Sequence, residues 1–182
     1  MNLKVRLSLV VAMSENGVIG RDGGLPWHIR SDLKLFRATT LGKPVIMGST
    51  TWESLPKKPL LGRLNLVLSR DVKTEAEGGI VCSSLFEALD IAREHAIDDG
   101  ADEICVIGGA NVFAQVLPKA DRLYVTQVHA EVDGDTHFPA IDPAVWQVAR
   151  EDAFAKADGD DYAFTFRVYE RIRGQGTTFA PA

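Results

Sequence analysis

The stretch Leu25-Pro26-Trp27-His28-Ile29-Arg30-Ser31-Asp32-Leu33-Lys34-Leu35-Phe36 decides how this chain is read. As a helix it sets Ile29, Leu33 and Phe36 on one apolar stripe with Asp32 inside it, while Arg30, Lys34 and Arg37 take the opposite face. A carboxylate on a core-facing stripe costs several kcal/mol unless something satisfies it. No Lys or Arg lies three or four positions away on that stripe to pair with it. Two readings stand side by side. One is an early-turn Asp held by the helix N-terminus and its free amides. The other is an acid kept out of water because a site needs it there.

Outward from this stretch, the chain reads as one ordinary domain. Its 182 residues suffice for a real core, and the balance of 46% hydrophobic to 25% charged residues is that of a soluble globular protein. A net charge of −5 argues against non-specific nucleic-acid binding. No apolar run approaches a membrane span, and Met1-Asn2-Leu3-Lys4-Val5-Arg6 runs straight into a strand-like segment, unlike a secretory signal or transit peptide. Cys82 and Cys105 lie in separate apolar runs without metal-ligand spacing, as buried free thiols of a reducing cytoplasm would.

Leu7 to Met13 is a nearly continuous apolar run, the pattern of a strand covered on both faces. Pro44–Met47, Leu64–Leu68 and Ile104–Ile107 repeat it. Between them, Ser84-Leu85-Phe86-Glu87 has capping-box spacing, and Thr50-Thr51-Trp52-Glu53 offers a second box for a short helix. A further helix is expected from about Ala110 to Leu117, where Pro118 stops it. Leu123–Val128 and Tyr162–Tyr169 read as strands. This order predicts a single-domain α/β fold: a predominantly parallel twisted sheet of about eight strands, an antiparallel C-terminal edge and about four flanking helices. The domain spans 1–172, and the Gly-bearing residues 173–182 form a flexible tail.

Gly48 and Gly108-Gly109 each follow an apolar strand and precede a helix, where free amides make an anion site. Neither belongs to a dinucleotide fingerprint, and no Walker-type motif is present. A lone junction glycine serves a tight turn; two at the C-terminal ends of parallel strands point to a crevice for a phosphate-bearing ligand. Ser69-Arg70 ends the next strand on the same edge, either as a reader of that ligand or as a solvated loop charge. Gly17, Gly20, Gly23 and Gly24 crowd the Ser14–Gly24 loop that leads into the Asp32 helix, a composition suited to a moving lid.

Taken together, Gly17-Val18-Ile19-Gly20, Leu25-Pro26-Trp27, Asp32-Leu33 with Phe36, and Pro44-Val45-Ile46-Met47-Gly48 resemble the bacterial type of dihydrofolate reductase. So do Thr51-Trp52-Glu53-Ser54, Gly62-Arg63, Val106-Ile107-Gly108-Gly109 and Gly134-Asp135-Thr136-His137-Phe138-Pro139. The resemblance covers essentially the whole chain before the tail. It implies reduction of 7,8-dihydrofolate to tetrahydrofolate by hydride transfer from NADPH, in a cytoplasmic monomer open to antifolate inhibitors and without nucleic-acid, membrane or metal partners. It also implies a cis peptide between Gly108 and Gly109.

By the same resemblance, Asp32 holds the pterin 2-amino group and N3 and promotes protonation of N5, with Thr126 hydrogen-bonded to it and Trp27 beside it at the lid base. Leu33, Phe36 and Leu55 wall the pterin and aminobenzoyl group, Val10 and Ile107 offer backbone carbonyls, and Arg63 clamps the glutamate carboxylate. For the cofactor, Ala12, Ile19 and Gly20 belong to the nicotinamide end. Gly48, Ser49, Thr50 and Thr51 hold phosphate and ribose, together with the segment from Ile107 and Gly108 through Gly109, Ala110, Asn111, Val112 and Phe113 to Gln115. Ser69 and Arg70 meet the 2′-phosphate, with Leu68 and Ser83 nearby. Asp135 supports the lid. His137 and Asp135 lack a third convergent group and make a poor metal site.

Three features depart from the family pattern. Ser49 stands where many relatives carry a basic residue, leaving more of the NADPH preference to Arg70. Pro56-Lys57-Lys58-Pro59-Leu60-Leu61 is one residue longer than common bacterial versions, which leaves open which of Lys57 and Lys58, if either, reaches the substrate glutamate. Gly23-Gly24 enriches the lid in glycine. The rival expectations are another NADPH-dependent pterin or pyrimidine reductase on the same fold, disfavoured by Arg63, and a non-catalytic binder, disfavoured by Asp32.

Overall fold

The apolar runs become the central strands of one sheet, seen in a computed structural model that describes residues 4–173. In chain order the elements begin with β1 (Arg6–Met13), β2 (Val18–Gly20), α1 (Arg30–Thr40), β3 (Val45–Gly48), α2 (Ser49–Ser54) and β4 (Asn65–Leu68). There follow β5 (Ile80–Cys82), α3 (Leu85–Asp99), β6 (Glu103–Gly108), α4 (Ala110–Val116) and a 3-10 turn at Leu117–Lys119. The chain ends in β7 (Arg122–Val128), β8 (Thr136–His137), β9 (Trp146–Phe154) and β10 (Phe164–Arg171). Eight strands join in the order β5-β4-β3-β6-β1-β7-β10-β9. All pairings up to β7 are parallel; β7–β10 and β10–β9 are antiparallel, so the edge predicted for the C-terminus is there. The tail expected over 173–182 lies, apart from Arg173, outside the described residues.

The central strands are covered on both faces, which is why they are apolar throughout. Leu7, Leu9 and Val11 of β1 pack with Ile46, Leu66, Ile104 and Val106 under α3 and α4. Val10 points the other way, into a cluster of Val45, Met47, Val67, Cys105 and Trp52. Both cysteines are buried free thiols, and burial pushes the Cys105 thiol up to about 12.

The strands also carry a polar anchor at their N-terminal ends. Glu103, 1% exposed, accepts from Lys43 Nζ at 2.7 Å, Ser8 Oγ at 2.5 Å and Tyr124 Oη at 3.0 Å. Arg6 and Arg122 stand 3.8 and 3.7 Å away. Burial works to raise the Glu103 pKa, but Lys43, Ser8 and Tyr124 outweigh it and hold the carboxyl below its ordinary range. Lys43 also donates to the Thr39 carbonyl at 2.7 Å, tying the end of α1 to the sheet.

Local signals met mixed outcomes. Ser84 caps α3, accepting from Glu87 N at 3.1 Å, although the Glu87 carboxylate returns to Ser83 N and Oγ rather than to Ser84. The second expected capping box is not formed: α2 starts at Ser49 with Gly48 before it and no side-chain cap. Pro118 sits within the 3-10 turn, and α4 has already ended at Val116. The last strand begins at Phe164 instead of Tyr162 and is paired along its length with β9, which the pattern did not announce. The stripe of α1 differs most. Ile29 precedes the helix, Leu33 is 49% exposed, and Thr40 is the buried residue of α1. That face looks into an open cleft, so an apolar stripe and a buried face are here two different things. Among the described residues no helix is long and apolar enough to cross a membrane.

Candidate active site

The cleft exists because two neighbouring strands part. β1 and β6 stay paired from Arg6–Glu103 to Leu9–Val106 and no further, whereas β1 continues beside β7 as far as Met13–Gln127. On its other side β6 is irregular against β3: Ile46 pairs with Val106 and Met47 with Gly108, so Ile107 is passed over. Val10 and Ile107 therefore flank a gap at the C-terminal ends of the strands, where open parallel sheets take ligands. The gap opens into a cleft of about 1000 Å³.

Asp32 stands on one wall in the first turn of α1, half-buried. Thr126 Oγ1, on β7, donates to its Oδ1 at 2.6 Å, and Asp32 lines the cleft with no hydrogen bond to its Oδ2 among the described residues. Burial raises the Asp32 pKa; the Thr126 hydrogen bond opposes this, and the charge of Asp160 adds to it. Trp27 is 7% exposed and lines the same wall, and its indole Nε1 has no hydrogen-bond partner. Among the described residues it is the single buried side-chain polar atom so left. A buried donor without an acceptor costs about 1–3 kcal/mol, so the site is built to receive one there. Leu33, Phe36 and Leu55 complete the wall.

The other half of the cleft is lined by backbone and small side chains. Gly48 and the Gly108-Gly109 junction adjoin: a Cβ on Gly48 would lie 3.8 Å from Gly109 N, and one on Gly108 would lie 3.0 Å from Thr51 Oγ1. The Gly108–Gly109 peptide is cis, and so is Lys58–Pro59. Neither α2 nor α4 has a side-chain cap, so their first amides remain free for an anion. Ser49, Thr50 and Thr51 lie beside this junction, as do Ala110 through Phe113 with Gln115. Leu68, Ser69, Arg70 and Ser83 close the far end, and Ala12, Ile19 and Gly20 the near one.

Of the residues expected to meet substrate or cofactor, Arg63 is not on the cleft wall, nor are Lys57 and Lys58; Asp135, expected to support the lid, is off it too. Arg63 Nε donates to Leu61 O at 3.0 Å and its Nη1 to Thr40 Oγ1 at 3.0 Å, one residue from Thr39, which is on the wall. Arg63 thus stands at the rim, where burial and the neighbouring Arg37 lower its pKa. Lys58 is turned onto α2, with Nζ 3.3 Å from both Trp52 O and the Glu53 carboxylate. The sequence reasoning missed other lining residues, among them His28, Thr39, Pro56 and Phe166. His28 belongs to the quoted helix stretch and was legible; Phe166 reaches the cleft only through the register of β10.

The Ser14–Gly24 loop is less loose than its glycines implied. Ser14 is buried, Glu15 N donates to Ala130 O at 2.9 Å, and β2 pairs with β8. A Cβ on Gly134 would fall 2.2 Å from Val18, so the two segments meet at van der Waals distance. Beyond β2 the tip is open, with nothing within 4 Å of a Cβ at Gly23 or Gly24. Asp135 holds this tip: its Oδ2 accepts from Asp22 N at 3.1 Å, where Asp22 has a left-handed φ of 51°.

A mostly parallel sheet that splits to receive a flat group beside one carboxylate, with glycine junctions next to it for phosphates, defines an α/β nucleotide-cofactor enzyme. Comparison with known proteins narrows this. The family model for dihydrofolate reductase matches residues 6–171, and the chain belongs to that family. It is similar to dihydrofolate reductase type 3 of Salmonella typhimurium, at 41% identity over 92% of this chain and 99% of that protein. The dihydrofolate reductase of Haemophilus influenzae is 47% identical over 83% of this chain and 89% of its own. Among solved structures, dihydrofolate reductase from Enterococcus faecalis complexed with NADP(H) and RAB-propyl matches with a TM-score of 0.79 and 34% identity, covering 92% of this chain and 97% of that one.

Proposed function

We propose that this protein reduces 7,8-dihydrofolate to 5,6,7,8-tetrahydrofolate with NADPH. The observation that carries this is the pairing, on one wall of the strand gap, of a carboxylate with a free oxygen and an unpartnered buried indole N–H. A pterin presents two parallel donors, its 2-amino group and N3, which suit a carboxylate, and a neighbouring carbonyl whose solvent shell the indole can reach. NADPH, when bound, supplies the hydride for C6 of the pterin, and a proton from solvent completes N5. Asp32 orients the ring and favours that protonation, with Thr126 keeping its carboxylate in place. Val10 and Ile107 flank the gap, and on this reading their backbone carbonyls accept from the remaining ring donors.

For the rest of the substrate, Leu33, Phe36 and Leu55 supply apolar walls. Arg63 and Arg37 set two guanidinium groups against each other at the rim, a repulsion that a glutamate carboxylate relieves. The same proposal includes one catalytic domain over 1–172, acting as a monomer in the cytoplasm, where Cys82 and Cys105 stay reduced. Antifolates compete for the Asp32 wall. Loss of NADPH absorbance on adding dihydrofolate tests the activity directly; no oxidation above the background without substrate overturns it.

Among the described residues, Arg70 is the one guanidinium on the cleft wall, and Ser49 carries no charge. Bonds to a charged group contribute about 1.5–3 kcal/mol, so Arg70→Ala weakens NADPH binding by about one to two decades while NADH binding stays nearly unchanged. Fluorescence titration with each cofactor checks this, and equal losses for both mean that Arg70 does not read the 2′-phosphate.

Asp135 touches lid backbone and lies off the substrate wall. Asp135→Ala frees the tip, admits water and slows hydride transfer in single-turnover experiments, with dihydrofolate affinity intact. A loss confined to substrate binding contradicts that role.

A further inference from the structure

The helix that carries Asp32 starts without a cap of its own. Ile29, the residue before α1, is extended (φ −132°, ψ 96°) and offers no side-chain acceptor to the first amides. The acceptor comes from 129 residues away. Asp160, on the turn between β9 and β10, accepts from Ser31 N at 3.0 Å through Oδ1 and from Ser31 Oγ at 2.7 Å through Oδ2. It is 4% exposed, and its turn is built around it: Ala157 N donates to its Oδ2 at 3.3 Å, and its own N–H donates to Ala157 O at 3.1 Å. Gly159 takes the left-handed φ of +86° that the turn requires.

The backbone follows the same path. Ile29 and Asp160 form an antiparallel bridge, Asp161 N donates to His28 O at 2.9 Å, and Asp161 Oδ2 accepts from His28 N at 2.7 Å. Two successive aspartates of one turn thus grip residues 28 to 31, and the next residue is Asp32. Neither is on the cleft wall, so neither has a part in holding substrate or cofactor.

We propose that Asp160 is a positioning residue for the chemistry at Asp32: it supplies from across the chain the N-terminal cap that α1 lacks, and so fixes the turn that presents Asp32 to Thr126 and the cleft. This rests on the reading of Asp32 as the pterin-binding acid. The cap also carries a charge. The Asp160 carboxylate adds to burial in raising the Asp32 pKa, against the Thr126 hydrogen bond from β7. His28, from the segment before α1, lines the same cleft. Arg30, Lys34 and Arg37 are exposed on α1, and no ion pair to Asp32 forms among the described residues.

Asp160→Ala and Asp160→Asn separate the cap from its charge. Asparagine keeps an acceptor for Ser31 N and lacks the charge; alanine lacks both. Two readouts are needed: single-turnover hydride transfer across pH with saturating NADPH and dihydrofolate, and a 13C-carboxyl NMR titration of Asp32 in the free protein. Asp160→Ala is expected to slow hydride transfer by about tenfold, the cost of a misplaced acid, with the KM for NADPH unchanged. Both variants move the Asp32 titration midpoint to lower pH. Asp160→Asn recovers most of the lost rate below that midpoint, because its helix turn is still capped. If the alanine variant does not fold, the asparagine variant carries the test through its shifted midpoint. An unmoved midpoint in both variants, with wild-type hydride transfer in either fold-competent one, overturns the proposal. A wild-type protein that does not oxidise NADPH with dihydrofolate overturns the reading of Asp32 instead, and the carboxyl titration still decides whether Asp160 acts on it.

Discussion

Asp32→Asn yields a folded protein whose hydride transfer at neutral pH is slower by about 10²- to 10⁴-fold, the range over which a positioned acid or base acts. The amide keeps an oxygen for the Thr126 hydroxyl, now 2.6 Å from Oδ1, but holds no charge to orient the pterin donors or favour N5 protonation. Lowering the pH restores part of the rate as solvent protonates more substrate. Stability moves the other way. Burial raises the folded pKa of Asp32, so its contribution favours the fold below the unfolded value and is lost as pH rises through the folded one. At neutral pH the ionised group is therefore a cost, and the Asn variant melts higher than the wild type, with the gap closing in acid. Stopped-flow absorbance and thermal melts across pH check both halves. Wild-type turnover at neutral pH removes Asp32 from the mechanism.

Glu103→Leu is expected to cost about 3 kcal/mol of unfolding free energy or more, the scale for breaking a buried charge pair by removing one partner. Lys43 is left with the Thr39 carbonyl alone, and the Ser8 and Tyr124 hydroxyls lose their acceptor. The pH signature is opposite to that of Asp32. Glu103 has a depressed folded pKa, so its stabilisation is present above the unfolded carboxylate value and lost as pH falls through the folded one. Urea unfolding at neutral pH separates variant from wild type, and the curves converge in acid. A difference under about 1 kcal/mol at neutral pH means the anchor is solvated in solution.

The parts of the fold written in unbroken apolar runs were legible, because a strand buried on both faces leaves no other pattern. β9 was not: it is an edge strand, largely exposed along Gln147–Glu151, and its charges read as loop. β2 and β8 span three and two residues, too short for any periodicity, and exist because Val18 and Gly134 meet. In the site, Asp32 announced itself as an acid out of place on its own helix. Thr126 gave no such signal and entered through family resemblance alone, since its role depends on the register of β7 beside β1. Asp160 was invisible for a related reason. The Gly159-Asp160-Asp161 run reads as an ordinary turn, and only the folded chain brings it to Ser31.

The parting of β1 from β6 beyond Leu9 and Val106 has a bearing on how such an enzyme can change its preferences. The width of that gap follows from the twist of strands already locked together below it, and no loop has to close to create it. One dimension of the ligand, the thickness of its flat ring, is thereby settled by the most deeply buried part of the molecule. A variant cannot widen the slot without unpicking the core, so selection for altered ligands is channelled into the side chains around it. Leu33, half in solvent on α1, and Leu55 beyond α2 are positions where bulk can change at little cost to folding. New ligands are accommodated along their length and breadth, while their thickness stays fixed by the sheet.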